Sequence, residues 1–161
     1  MTIDYSDLTE YADAMRSFDM VVAAEMRRAV GAAMTAYETH TVQRTPRFMG
    51  TLASSIGYVV DGTGANLRAA LTTPLNYGKV VELGRRPNRR PPPSGAIELW
   101  VRRKLGLSGK EAETAAYLIA RSIGRRGTKG AKMFEKGFTA ATPAAQRAFD
   151  NALTRIAKVL A

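Results

Sequence analysis

Few side chains in this sequence could do acid–base or nucleophilic work. The 161 residues include one histidine, His40, and no cysteine. A lone imidazole serves as a general base only when a second group orients it, and no positioned partner for His40 is apparent from the sequence. The usual zinc sets draw on cysteine or on several histidines, so no metal site is expected. Disulfides and thiolate chemistry are excluded. Carboxylates number 14, yet no Asp-x-Asp pair or Glu-x-x-His device stands out. Glu82, inside YGKVVELGR, is the acid to single out. It reads as a helix-end carboxylate paired with Lys79 or a nearby arginine, because charge networks perturb carboxylates as readily as catalysis does. GRRGTKGAKM lacks the spacing of a phosphate loop and follows a helix, not a strand. No catalytic, cofactor-binding or metal-ligating residue is therefore assigned.

The cations are better placed to act. Between Lys79 and Lys136 there are 15 Lys/Arg and 5 Asp/Glu, while the rest of the chain holds 9 of each. The whole net charge of +10 thus sits in one central stretch. Within it, Arg85, Arg86, Arg89, Arg90, Arg125, Arg126 and Lys129 are the candidates for contact with a protein partner or with DNA. One reading is a loop and helices charged for solubility. The other is a segment that meets DNA or an acidic surface on a neighbouring subunit. Sequence-specific DNA reading is not expected. The helical pair Ile97–Leu105 and Glu111–Ile123 mimics a helix-turn-helix, but Glu111 and Glu113 stand where a recognition helix meets phosphates. Aromatic residues of the kind that stack on single strands are sparse.

The elements that carry these residues follow from periodicity. From about Asp7 to Arg44, the residues Leu8, Tyr11, Met15, Phe18, Val22, Met26, Ala29, Ala33 and Tyr37 recur at steps of three or four, which predicts one long helix. Ser6 is a candidate cap, Asp7 and Glu10 suit the positive end of the helix dipole, and Pro46 ends the helix. Gly31 is a weak spot where the helix could bend. Ile56, Tyr58 and Val60, then Leu67, Ala69 and Leu71, alternate about the turn DGTGAN, which predicts a hairpin. Asn76–Leu83 reads as a short helix stopped by Gly84. RRPNRRPPPSG reads as a stiff, extended basic loop. Two helices follow, one capped by Ser94 and carrying Ile97, Trp100, Val101 and Leu105. The other is opened by a Ser108–Glu111 capping box and buries Ala115, Leu118, Ile119 and Ile123. Trp100 is expected to be a packing anchor. RRGTKG reads as a flexible basic loop. Thr142 and Pro143 are expected to open a last helix with the stripe Phe149, Leu153, Ile156 and Leu160.

A hydrophobic content of 45% suits a packed core. The expectation is a single domain, 1–161, of α+β class. A long N-terminal helix packs on a small antiparallel sheet, with residues 85–130 as a basic loop plus helical-pair insertion and with a C-terminal helix. The segment MTIDYSDLTEYADAM carries acids where a secretory leader needs bases, and no apolar run reaches membrane-spanning length. A soluble protein held in the cell that makes it, with no membrane partner, is expected.

Four stretches resemble a known family. TPRFMGTLASSI is similar to a T-P-x-x-x-G-x-L-x-x-S-I entry into a sheet, and YGKVVELGRR to a Y-A-x-x-V-E-x-G segment. LWVRRKLGLSGKEAETAAYLIARSIGRRGTKG resembles a helical insertion, and KMFEKGF an aromatic helix after it. In this order they resemble the phage tail-completion or head–tail joining (neck) family, related to the lambdoid minor tail protein Z, over about Thr45 to Phe138. The resemblance implies a structural, non-enzymatic subunit of the virion that needs no cofactor. It implies self-assembly into a ring, contact with other neck or tail proteins, and a place in the virion after assembly in the host cytoplasm. Contact with channel DNA stays open, as does the alternative of a nonspecific DNA-binding module using the central segment. Gly78 departs from the pattern, where alanine is common, and the departure is expected to be harmless.

Overall fold

The computed structural model describes residues 6–160. The elements run α1 (Ser6–Arg44), α2 (Thr51–Ser55), β1 (Gly57–Asp61), β2 (Arg68–Thr72), α3 (Gly78–Leu83), β3 (Gly84–Arg85), α4 (Ser94–Leu105), α5 (Gly109–Arg126), β4 (Thr128–Lys129) and α6 (Met133–Leu160). The long N-terminal helix, small antiparallel sheet and C-terminal helix make the expected α+β class. The chain divides into two compact units. The described part of the first comprises 6–43, 56–72 and 135–160, and the second comprises 44–55 and 73–134. The proposed cap Ser6, the charge of Asp7 and the stripe positions Leu8 and Leu160 concern side chains outside the described residues.

In the first unit, α1 spans about 58 Å at ~1.5 Å per residue. Its stripe is at least half-buried from Phe18 onward. Ala29 is buried and Val22, Met26, Ala33 and Tyr37 are half-buried, whereas Tyr11 and Met15 are exposed. β1 and β2 pair antiparallel from Gly57↔Thr72 to Asp61↔Arg68. Tyr58, Val60 and Leu71 face inward, half-buried. The helix is tied to this hairpin by the Arg27 guanidinium, which donates to the Gly62 carbonyl at 2.9 Å, and by the Thr35 and Tyr58 hydroxyls at 3.0 Å. α6 crosses α1 through small residues. A Cβ on Gly137 would strike Thr41, whose Cα lies 2.8 Å from that position, and Ala141 and Ala152 are buried further along α6. Tyr37 meets Phe138 edge-to-face with centroids 5.4 Å apart. Glu25 pairs with Arg155 at 2.5 Å and with Arg28 at 2.7 Å.

The last helix does not open at Thr142–Pro143. It begins at Met133 and runs through Pro143. Proline deprives only the Thr139 carbonyl of its partner, and Pro143 and Thr139 are both exposed, where water can supply one. The Thr142 hydroxyl donates back to the Phe138 carbonyl at 3.0 Å, as a residue inside a helix does. Of the expected stripe, Phe149 and Ile156 are half-buried and Leu153 is exposed.

In the second unit, α4 and α5 pack around Val101, Ala112 and Ala116, with Ile97, Leu107, Ala115 and Ile119 closing over them. The buried seam of α5 is Ala112, Ala116, Ala120 and Gly124, one small residue per turn. Expected seam residue Leu118 is 55% exposed. Periodicity in large apolar residues misplaces the seam because close helix approach selects small ones. Ser94 is the first residue of α4, not its cap, and the preceding Pro93 has no side-chain acceptor to offer. Ser108 does hold the cap position of α5 with extended backbone, but its side chain makes no capping bond and the capping box does not form. Gly106, left-handed at φ 69°, ends α4 as expected.

Short α2 has no counterpart among the sequence-based expectations. Gly50, at φ 83°, turns the chain into it, and Leu52 and Ala53 are buried. The Ser55 hydroxyl meets that of Thr73 at 2.7 Å, and Thr73 Oγ1 accepts from the Leu75 N–H at 3.3 Å. Thr73 is thereby fixed against Gly78, where a Cβ would lie 2.6 Å from its methyl. The glycine at 78 thus accommodates Thr73, whose methyl an alanine there would push aside.

Candidate interaction surface

The seven candidate cations lie on two segments far apart in sequence, and a short ladder joins them. β3 and β4 pair antiparallel, Gly84 with Lys129 and Arg85 with Thr128. Beyond the strands the same register continues. The Asn88 N–H donates to the Arg125 carbonyl at 3.1 Å, and the Arg89 N–H to the Gly124 carbonyl at 2.9 Å. These acceptors are last-turn carbonyls of α5, which have no partner inside their own helix. The arginine–proline loop thus supplies the C-terminal cap of α5. Residues 86–93 form a loop, as expected, whereas the second segment, expected as a flexible loop, is not one. The first folds back onto α5 through its backbone, with Asn88 left-handed at φ 57°. The second is the end of α5 followed by β4.

Glycine makes this contact possible. At Gly84 (φ 77°) a Cβ would overlap the Thr128 carbonyl, and at Gly127 (φ 72°) the Arg85 carbonyl. Side chains rarely adopt either conformation. On the same crossing, the Ala131 and Lys132 N–H groups donate to the Val81 and Glu82 carbonyls at 2.8 and 3.1 Å. The Glu82 carboxylate accepts from the Phe134 N–H at 3.0 Å. Lys79 or an arginine was the expected partner of Glu82; this contact instead places its carboxylate at the start of α6, where the helix dipole favours negative charge.

The ladder brings all seven cations onto one structure. Arg86, Arg89, Arg90, Arg125, Arg126 and Lys129 are exposed, and Arg85 is half-buried. Arg85 Nη2 donates to the Arg90 carbonyl at 2.7 Å, closing the loop on itself. Arg85, Arg90 and Pro91 to Pro93 line a shallow cleft of about 640 Å³. None of the seven forms an ion pair with a described residue. Part of their charge suits the negative end of α5. The second unit carries 16 Lys/Arg against 4 Asp/Glu, a net of +12, far beyond what one helix end requires. Guanidinium groups left outward and unpaired are equipped to bind carboxylate or phosphate oxygens in pairs.

A second surface was not anticipated. Trp100 is 38% exposed, unlike its neighbour Val101 at 0%. Successive helix residues diverge by about 100°, so Val101 takes the seam and Trp100 turns elsewhere. It lines a groove of about 390 Å³ with Phe48, Met49, Tyr77, Val81 and Arg47. The only hint in the sequence was the apolar pair Phe48–Met49 between Pro46 and Gly50, apolar residues in a turn. His40 is half-buried in α1.

No helix among the described residues is long and apolar enough to cross a membrane. Comparison with protein-family models, curated proteins and solved structures finds no match for the chain.

Proposed function

We propose that this chain is a structural subunit of the phage head–tail junction, acting in a ring during tail completion or head–tail joining. The observation that carries the reading is where the family-like positions fall. Thr45 is buried, with its hydroxyl 3.3 Å from Met133 Sδ. Gly50, Leu52, Ser55 and Ile56 turn, bury or fasten the chain around α2. Glu82 and Gly84 hold the start of α6 and the β3–β4 crossing. Residues shared with the family pattern thus serve architecture, and the exposed cations are left for partners. Acidic surfaces of neck or tail proteins are the favoured partners, because strong phosphate contacts inside a channel would retard genome exit. Replacing Arg85, Arg86, Arg89 and Arg90 by serine in the phage should leave separate heads and tails in the lysate. Normal infectious particles from that mutant would sink the proposal for this surface.

The net charge of +12 in the second unit supports a second reading, a nonspecific DNA-binding module. Salt separates the two. Phosphate binding falls steeply with salt through counterion release, whereas a ring joined mainly by apolar faces loses far less.

A further inference from the structure

We infer that the groove beside Trp100 seats the N-terminal half of α1 from a second copy of this chain. The inference rests on the ring reading and names the two faces such a ring would join. Met49, Tyr77 and Trp100 are 57%, 46% and 38% exposed, so the groove opens apolar surface to solvent. Its volume of about 390 Å³ falls within the roughly 300–1,000 Å³ of ligand pockets, room for two large side chains. Cations stand beside it. Arg47 lines it, and the Arg103 guanidinium lies 5.9 Å from the Phe48 ring centroid.

α1 offers the complement. Tyr11 and Met15 are one turn apart on one helix face and are 74% and 58% exposed. From Ser6 to Asp19 the sequence holds Asp7, Glu10, Asp13 and Asp19 against Arg16, a net of −3. Apolar side chains flanked by acids fit an apolar groove flanked by arginines. A nucleic acid would suit the arginines but leave Tyr11 and Met15 uncovered. The two faces differ, so the contact is head-to-tail, the type that closes into a ring when the rotation permits.

Charge reversal tests this directly. Arg47→Glu with Arg103→Glu gives one variant, and Glu10→Lys with Asp19→Lys gives the other. Each alone should weaken self-association at least tenfold by sedimentation and native mass spectrometry. An equimolar mixture should restore it, because every groove then finds a helix of opposite charge. As a check independent of folding in those variants, a benzophenone side chain in place of Tyr11 should cross-link to residues 46–52 or Trp100. With isotopically light and heavy copies mixed, that product should carry both labels. Rings that persist in both variants, or cross-links within single copies only, overturn the inference and leave the ring reading intact. Wild-type protein that never self-associates, alone or with neck proteins, overturns both. If Trp100 fluorescence answers a short DNA duplex but not self-association, the groove is a nucleic-acid site and the inference fails.

Discussion

In the first unit two long helices meet each other and a hairpin through side chains, whereas in the second unit the segments that carry the arginines meet through backbone, beside the side-chain core of α4 and α5. Glu25–Arg155, Tyr37–Phe138 and Thr35–Tyr58 join pieces of the first. Main-chain bonds from Asn88, Arg89, Ala131 and Lys132 join pieces of the second. Charge follows the same division. The first unit has 8 Lys/Arg against 10 Asp/Glu, a net of −2, and the second a net of +12. Backbone pairing frees side chains from structural duty. That is how the second unit can hold so many arginines outward without weakening its own frame.

Four substitutions test that contrast, in falling order of effect. Gly84→Ala forces an ordinary side chain to φ 77° and against the Thr128 carbonyl. It should cost about 2–4 kcal/mol, from strain plus overlap. Urea unfolding followed by Trp100 fluorescence reads the second unit specifically, since this is the only tryptophan. An unchanged midpoint would mean the β3–β4 crossing contributes little.

Trp100→Ala comes next. A fully buried tryptophan would cost about 3–5 kcal/mol, so a partly exposed one should cost roughly 2. Circular-dichroism melts measure it, and a loss in the full range would place the ring in the core after all. Glu82→Gln keeps an acceptor for the Phe134 N–H but removes its charge at the start of α6. A loss of about 1 kcal/mol is expected. Faster amide exchange at Phe134 should accompany it, and unchanged exchange would remove Glu82 from that cap.

The smallest effect carries the opposite sign. Gly31 lies inside α1 with nothing within 4 Å of an added Cβ. Gly31→Ala should stabilise by about 0.5–1 kcal/mol, seen as a raised Tm. A lowered Tm would show that α1 needs its glycine, for instance to bend in an assembly. The same chemical change is thus expected to hurt where backbones touch and to help where a helix stands clear.

This contrast also explains what the sequence disclosed. α1 was legible because its stripe repeats over many turns and Pro46 stops it. The hairpin was legible because Tyr58 and Val60 alternate before a glycine-rich turn. α5 was legible as a helix but not in its seam, since alanines at 112, 116 and 120 look neutral beside Leu118. Thr142–Pro143 misled because a threonine–proline pair marks a helix start locally, whereas the contacts of Gly137 and Met133 fix the start earlier. The seven cations were legible as charge. Their convergence was not, because it depends on Gly84 and Gly127 letting distant backbones touch, and no local pattern encodes that pairing. The Trp100 groove was hidden for a similar reason, its walls coming from three separate stretches.

The ladder between 84–89 and 124–129 has a consequence for how this chain can vary. The segment leaves and returns at adjacent strands, about 5 Å apart. The path of the chain on either side is therefore set without reference to the contour length between Arg85 and Thr128, although Trp100 and Arg103 pack against the 46–52 turn. The intervening stretch can be lengthened, recharged or cut back to a tight turn without rerouting what precedes or follows it. Divergence among relatives, and any grafting of new specificity, should collect there first.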